Sequence, residues 1–157
     1  MSTAVRTVED LKALIGQEVR LGSWYDITQE RVNAFADATG DHQFIHVDPE
    51  RAALTPFGGT IAHGFFTLSL IVSLGQGGEG IEMNLPIRMG VNYGLNRVRF
   101  PAPVRVGKRV RLHSKLQSVE EVSPGILQLI YENTVEIEGE AKPGCVAESI
   151  VRLYLGE

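Results

Sequence analysis

The stretch Ala62-His63-Gly64-Phe65-Phe66-Thr67-Leu68-Ser69-Leu70-Ile71-Val72-Ser73-Leu74 decides the fold. It reads as a helix from Ala62 to about Leu74 that is apolar nearly all round, and such a helix belongs in a protein interior. It is too short to cross a bilayer, which takes about 20 apolar residues. Beyond it the period changes. Ile87, Met89, Val91 and Tyr93 alternate with polar or small residues, as in a strand, and Asn96 to Phe100 extends it past a break at Gly94. Val106-Gly107-Lys108 predicts a turn. Val110, Leu112 and Leu116 belong to a long strand, Ile126 to Glu138 to another and Cys145 to Leu155 to a last one, with a turn at Glu138-Gly139-Glu140.

Upstream lie the remaining helices. Thr7 with Asp10 fits a capping box before a helix from Val8 to Ile15, which Gly16 ends. Val19, Leu21 and Tyr25 to Ile27 read as extended. Thr28 is a good N-cap for a helix carrying Val32, Phe35 and Ala36, stopped by Gly40. Asp48-Pro49 opens another that runs to about Leu54, followed by the loop Thr55-Pro56-Phe57-Gly58-Gly59. Helices first and antiparallel strands after give an α+β chain, and one apolar helix with few others to cover it implies a sheet wrapped around it.

Composition narrows the function classes. The chain has 157 residues, 43% apolar and 22% charged, which suits one domain over 1–157 with a real core. A formal net charge of −4 argues against a broad nucleic-acid or anionic-membrane surface. The lone cysteine, Cys145, cannot form an internal disulfide, and the N-terminal MSTAVRTVEDLK has no apolar signal core, so a cytoplasmic setting is expected.

The chemistry-bearing residues crowd into Ala38-Thr39-Gly40-Asp41-His42-Gln43-Phe44-Ile45-His46-Val47-Asp48 and Phe57-Gly58-Gly59-Thr60-Ile61-Ala62-His63-Gly64. Together with Asn92-Tyr93-Gly94-Leu95-Asn96-Arg97-Val98-Arg99-Phe100-Pro101-Ala102-Pro103-Val104, they resemble the MaoC-like (R)-specific enoyl-CoA hydratases, in their NodN-type branch. The family signature is a Thr-Gly-Asp, a His five residues after the Asp, and a downstream Ala-His-Gly. The resemblance covers roughly Leu21 to the end. It implies a hot-dog fold, a fatty-acid thioester substrate on CoA or an acyl carrier protein, an (R)-3-hydroxyacyl product, no cofactor, and a homodimer. The family usually has Asn-Pro two and three residues after the Asp. Gln43 and Phe44 stand there in this chain.

The residues make a chemical case of their own. Asp41 follows a helix-stopping glycine and His46 lies at the far end of the same short loop. A carboxylate and an imidazole on either side of one water can take a proton from it and return one to an α-carbon. Gly64, at the start of the apolar helix, offers an unpaired N–H at the positive end of the dipole, where a thioester oxygen gains charge. The catalytic candidates are therefore Asp41, His46 and Gly64. Tight packing is the alternative for Gly64. Surface placement is the default for His42, and an N-cap explains Asp48. His63 could cap, orient the loop or touch substrate.

Metal-ligand spacings among His42, His46, Asp48 and His63 are absent, so no metal is expected. Ser69 and Ser73 lie in no nucleophile elbow. Gly75-Gln76-Gly77-Gly78-Glu79-Gly80 lacks the Lys-Ser/Thr of a phosphate loop and reads as a flexible connection, and Cys145 reads as a small core residue. Two other functions compete with hydration: a thioesterase on the same fold, and a non-catalytic acyl-thioester-binding module.

Overall fold

The computed structural model describes residues 3–157, so Met1 and Ser2 of the segment read above for a leader lie outside the described residues. A seven-stranded antiparallel sheet forms the body. In chain order its strands are β2 (Glu18–Leu21), β3 (Tyr25–Asp26), β4 (Glu79–Gly80), β6 (Ile87–Arg99), β7 (Arg109–Ser123), β8 (Ile126–Ile137) and β9 (Cys145–Leu155). Their spatial order is β4-β2-β7-β8-β9-β6, with β3 also pairing β7. A parallel two-stranded ribbon joins β1 (Ala4–Val5) to β5 (Glu82–Met83).

The helices are α1 (Val8–Lys12), α2 (Gln29–Thr39), α3 (Phe44–Val47), α4 (Pro49–Ala53) and α5 (Gly64–Leu74). The caps act as their residue types dictate. Thr7 and Asp10 close a reciprocal capping box on α1. The hydroxyl of Thr28 accepts from the Arg31 N–H, and Gly40 takes φ 79° to end α2, a left-handed conformation that favours glycine. The Asp48 carboxylate accepts from the Arg51 N–H ahead of Pro49 at the start of α4.

Two apolar clusters fill the inner face of the sheet. Under α5, Phe66, Leu70 and Leu74 pack on Val110, Leu112, Val135, Ile137, Cys145 and Ala147. Under the N-terminal segment, Val5 and Leu11 pack on Leu116, Leu127, Leu129 and Leu153. The sheet thus curves round a central helix, and the expected α+β hot-dog architecture is the one observed.

Several expectations need correction. The first helix ends at Lys12 rather than Ile15, because the chain continues as hydrogen-bonded turns to Gly16. The apolar helix begins at Gly64; Ala62 and His63 lie before it, with the Ala62 N–H donating to the Val104 carbonyl. One flank of α5 is not interior, since Phe65 and Val72 are 70% and 53% exposed. The glycine-rich connection after α5 contains β4 and leads to β5, two short strands too brief for any periodicity to show. The break at Gly94 is a register shift within one continuous strand, β6.

Candidate active site

Asp41 lies between α2 and α3, one residue past the Gly40 stop, and is exposed. One of its carboxylate oxygens accepts from the Gln43 N–H at 3.3 Å. His46 is buried and rides on α3, a single helical turn, rather than on the open loop expected for it. Four residues are too few for a helical period to register in the sequence. The turn is fixed from below. The Gln29 side chain donates to the His46 carbonyl at 2.7 Å, and the Thr60 hydroxyl donates to Gln29 Oε1 at 2.6 Å.

The segment Thr60–Ala62 is clamped on two sides. Ile61 donates to the Ile45 carbonyl, Val106 donates to the Thr60 carbonyl, and Ile61 pairs with Arg105. The Ile61 carbonyl in turn accepts from His46 Nδ1 at 2.7 Å. A carbonyl accepts only, so Nδ1 carries the proton and Nε2 keeps its lone pair. Burial pushes the His46 pKa below the ordinary imidazole value; the bond to Ile61 opposes this, His63 adds to it and Asp41 opposes it. A neutral imidazole with a free Nε2 is the form a general base requires.

His63 is the residue whose importance the spacing did not reveal. It is buried, with 3% of its surface exposed. Its ring stacks on His46, centroids 3.8 Å apart at 24°, and meets the tilted ring of Phe35 of α2 at 4.9 Å. Its Nε2 donates to the Asp41 carbonyl at 2.9 Å, which ties the Asp41 loop to the start of α5. Its Nδ1 is buried without a hydrogen-bond partner among the described residues. Of the three roles open to His63, the structure shows loop orientation; no side chain caps α5.

Ligating atoms of Asp41, His46 and His63 all lie within 4.8 Å of one another. A hydrogen bond to water spans about 2.8 Å, so one water can bridge atoms at that separation. A metal fits the same group poorly. The stacked rings lie in nearly parallel planes with centroids 3.8 Å apart, whereas one ion held by both at about 2.0–2.1 Å must lie in both ring planes.

Gly64 opens α5, with neither a side-chain cap nor an intrahelical acceptor for its N–H. On its Cα side the Phe100 ring packs so closely that a Cβ would stand 2.8 Å from Cδ2 and 2.9 Å from Cε2. Packing therefore accounts for the glycine, while its N–H stays available.

The other residues singled out in the sequence stand apart. His42 is exposed and pairs with Asp37. Asp48 caps α4. Cys145 is buried in the core, where burial pushes its thiol to about 11. The hydroxyls of Ser69 and Ser73 are turned back on the carbonyls of α5.

A cavity of about 850 Å³ runs beside α5 from Leu68 onward, bounded by β6 and the middle of the sheet. Neither Asp41 nor His46 lines it. The titratable groups and the cavity are neighbours along α5, which starts at one and borders the other.

Residues 10–136 match the model of the MaoC like domain. The chain belongs to the MaoC-like family. It is 57% identical over 146 residues to 3-hydroxyacyl-thioester dehydratase Z of Mycobacterium tuberculosis, covering 93% of this chain and 95% of that one. It is 47% identical over 145 residues to nodulation protein N of Rhizobium leguminosarum bv. viciae, covering 92% and 89%. Among solved structures, an (R)-hydratase from A. caviae superposes with a TM-score of 0.67 at 24% identity, covering 89% of this MaoC-like chain and 97% of its own. That last likeness concerns the fold. No helix among the described residues is long and apolar enough to cross a membrane.

Proposed function

We propose that this chain interconverts trans-2-enoyl thioesters and (R)-3-hydroxyacyl thioesters by adding or removing water. The observation that carries the reading is the state of His46, neutral, with Nδ1–H fixed on Ile61, Nε2 left with its lone pair, and the Asp41 carboxylate within 4.8 Å of a ring nitrogen. The family membership, and a relative named for dehydrating 3-hydroxyacyl thioesters, support it. The (R) configuration rests on the family resemblance.

In hydration, one water sits between Asp41 and His46. One of the pair takes its proton as its oxygen bonds to the β-carbon, and electrons move through the double bond onto the thioester oxygen. The Gly64 N–H, at the positive end of α5, stabilises that developing charge. A proton from the same pair then reaches the α-carbon as the enolate collapses. Dehydration retraces these steps. His63 does not touch the reacting atoms in this scheme; it holds the His46 ring and the Asp41 backbone in place.

Loss of enoyl absorbance from crotonyl-CoA with no thiol released tests the reading. Thiol release from acyl-CoA without hydration would instead mark a thioesterase, and binding without either reaction a non-catalytic module.

The active form is a homodimer. Among the described residues β6 is an edge strand paired to β9 alone, and along it Met89, Tyr93 and Leu95 are 50%, 56% and 47% exposed. A long apolar edge of this kind is a template for another strand, and a second copy of the chain offers the matching one.

A further inference from the structure

The inner face of the sheet is apolar except across its middle, where Arg20 on β2 stands opposite Ser114 and also lines the cavity. Ser114 on β7 stands opposite Asn133 on β8, and Tyr131 on β8 stands opposite Ser149 on β9. Ser114 and Asn133 are 6% and 2% exposed. On either side the same strands carry Leu112 and Val135 in the cluster under α5, and Leu116 and Leu129 in the cluster under the N-terminal segment. The polar band therefore lies where the two apolar clusters part, and Arg20, Ser114, Tyr131, Asn133 and Ser149 all line the cavity.

The band is incompletely satisfied by the protein. Asn133 Nδ2 donates to Ser149 Oγ at 2.7 Å and weakly to the Tyr131 carbonyl at 3.5 Å. Asn133 Oδ1, the Ser114 hydroxyl and the Tyr131 hydroxyl have no protein partner among the described residues. Burial pushes the Tyr131 phenol to about 12, so it stays a protonated donor. These oxygens are open to the cavity rather than sealed in protein, so the loss from leaving them unbonded falls on whatever apolar group occupies it. A plain alkyl chain lying in the cavity would leave donors and an acceptor facing hydrocarbon. A chain with an oxygen on it would meet them.

The cavity also lies in line with the reaction site. Leu68 is one helical turn past Gly64, and Ile71 and Gly75 continue the same stripe. An acyl group whose carbonyl sits at Gly64 enters the cavity as it runs along α5.

We infer that the polar band selects acyl thioesters whose chain carries a hydroxyl or carbonyl oxygen beyond the reacting carbons. The inference rests on the thioester reading of the site. One well-made hydrogen bond to a band side chain is worth up to about tenfold in discrimination. The test compares a medium-chain 2-enoyl-CoA with the same chain bearing a hydroxyl or a ketone at successive carbons beyond the double bond. Both kcat/KM and the binding of the saturated analogues are measured.

The expected result is a preference of about tenfold for the oxygenated chain at one or two adjacent positions, which Asn133→Leu abolishes. Ser114→Ala, a smaller change, reduces the same ratio should Asn133→Leu fold poorly. A plain chain bound and turned over as well as every oxygenated one would overturn the inference, even with hydration of crotonyl-CoA intact. Conversely, preferential binding of oxygenated saturated chains with no hydration of any enoyl-CoA would uphold the band's selectivity and overturn the hydratase reading.

Discussion

Replacing Gly64 by alanine separates its packing role from its proposed chemical one. The added Cβ would lie 2.8, 2.9 and 3.0 Å from Cδ2, Cε2 and Cγ of Phe100, and the nearest atoms all belong to that ring. Ordinary carbon contacts begin near 3.5 Å, so the ring must retreat by about 0.7 Å. Overpacking of this kind costs about 1–3 kcal/mol, and Phe100, 41% exposed, has room to give, which favours the lower half of that range. Alanine also gains up to about 1 kcal/mol over glycine in helix propensity. The two effects oppose each other, so the single variant alone is a poor diagnostic.

A double-mutant cycle with Phe100→Ala isolates the clash. Denaturant midpoints of the four proteins should yield a coupling of about 1–2 kcal/mol, with Gly64→Ala neutral or stabilising once the ring is gone. In that background the rate of crotonyl-CoA hydration should also be close to that of Phe100→Ala alone, because alanine keeps the N–H. An undiminished stability penalty without Phe100 would refute the packing argument.

Further outcomes follow from the same structure. Because His46 must be neutral to act as base and burial depresses its pKa, the acid limb of log(kcat/KM) should fall below the ordinary imidazole value of about 6.5. The rate rises with pH through that limb and is flat at neutrality; a limb well above 6.5 would contradict burial as the dominant influence on His46. Light scattering at micromolar concentration should show a dimer, and Leu95→Arg on the β6 edge should shift it toward monomer; an unshifted dimer would place the interface elsewhere. Activity should survive chelation, because the stacked rings leave no common position for an ion; loss on chelation with recovery on adding one divalent cation would revive a metal centre.

The architecture was legible in the sequence wherever a period or a cap was long enough to register. Alternation marked β8 and β9 nearly to the residue, and Thr7-Asp10, Thr28 and Asp48-Pro49 marked three helix starts. Of the elements of two to four residues, only β2 and β3 were read as extended; the others left no such trace. The ribbon of β1 and β5, the strand β4 and the turn α3 are held by tertiary pairing, which a single segment cannot reveal. The exposed flank of α5 escaped for a related reason. Apolar composition says that a face wants cover, and only the fold shows whether this chain supplies it.

At the site, Asp41 and His46 were recognisable from their types and spacing. Their supports were not. Neither Gln29, next to the Thr28 cap, nor Thr60, just past the predicted loop, carried a role in the sequence. Yet these two hold the His46 backbone from α2 and from the strand-like segment before α5. His63 was visible as a histidine beside a glycine, but its stack on His46 joins residues far apart in sequence. The Ser114–Asn133 band was missed because single polar residues in strands ordinarily face outward. Only strand register shows that these face in.

The most direct test of the site is the rate of crotonyl-CoA hydration by Asp41→Asn and His46→Gln, each checked for wild-type folding. Removing a positioned acid or base costs about 10²–10⁴-fold, so both variants should lose at least two orders of magnitude in kcat. Wild-type turnover by either folded variant would contradict the assignment of the pair.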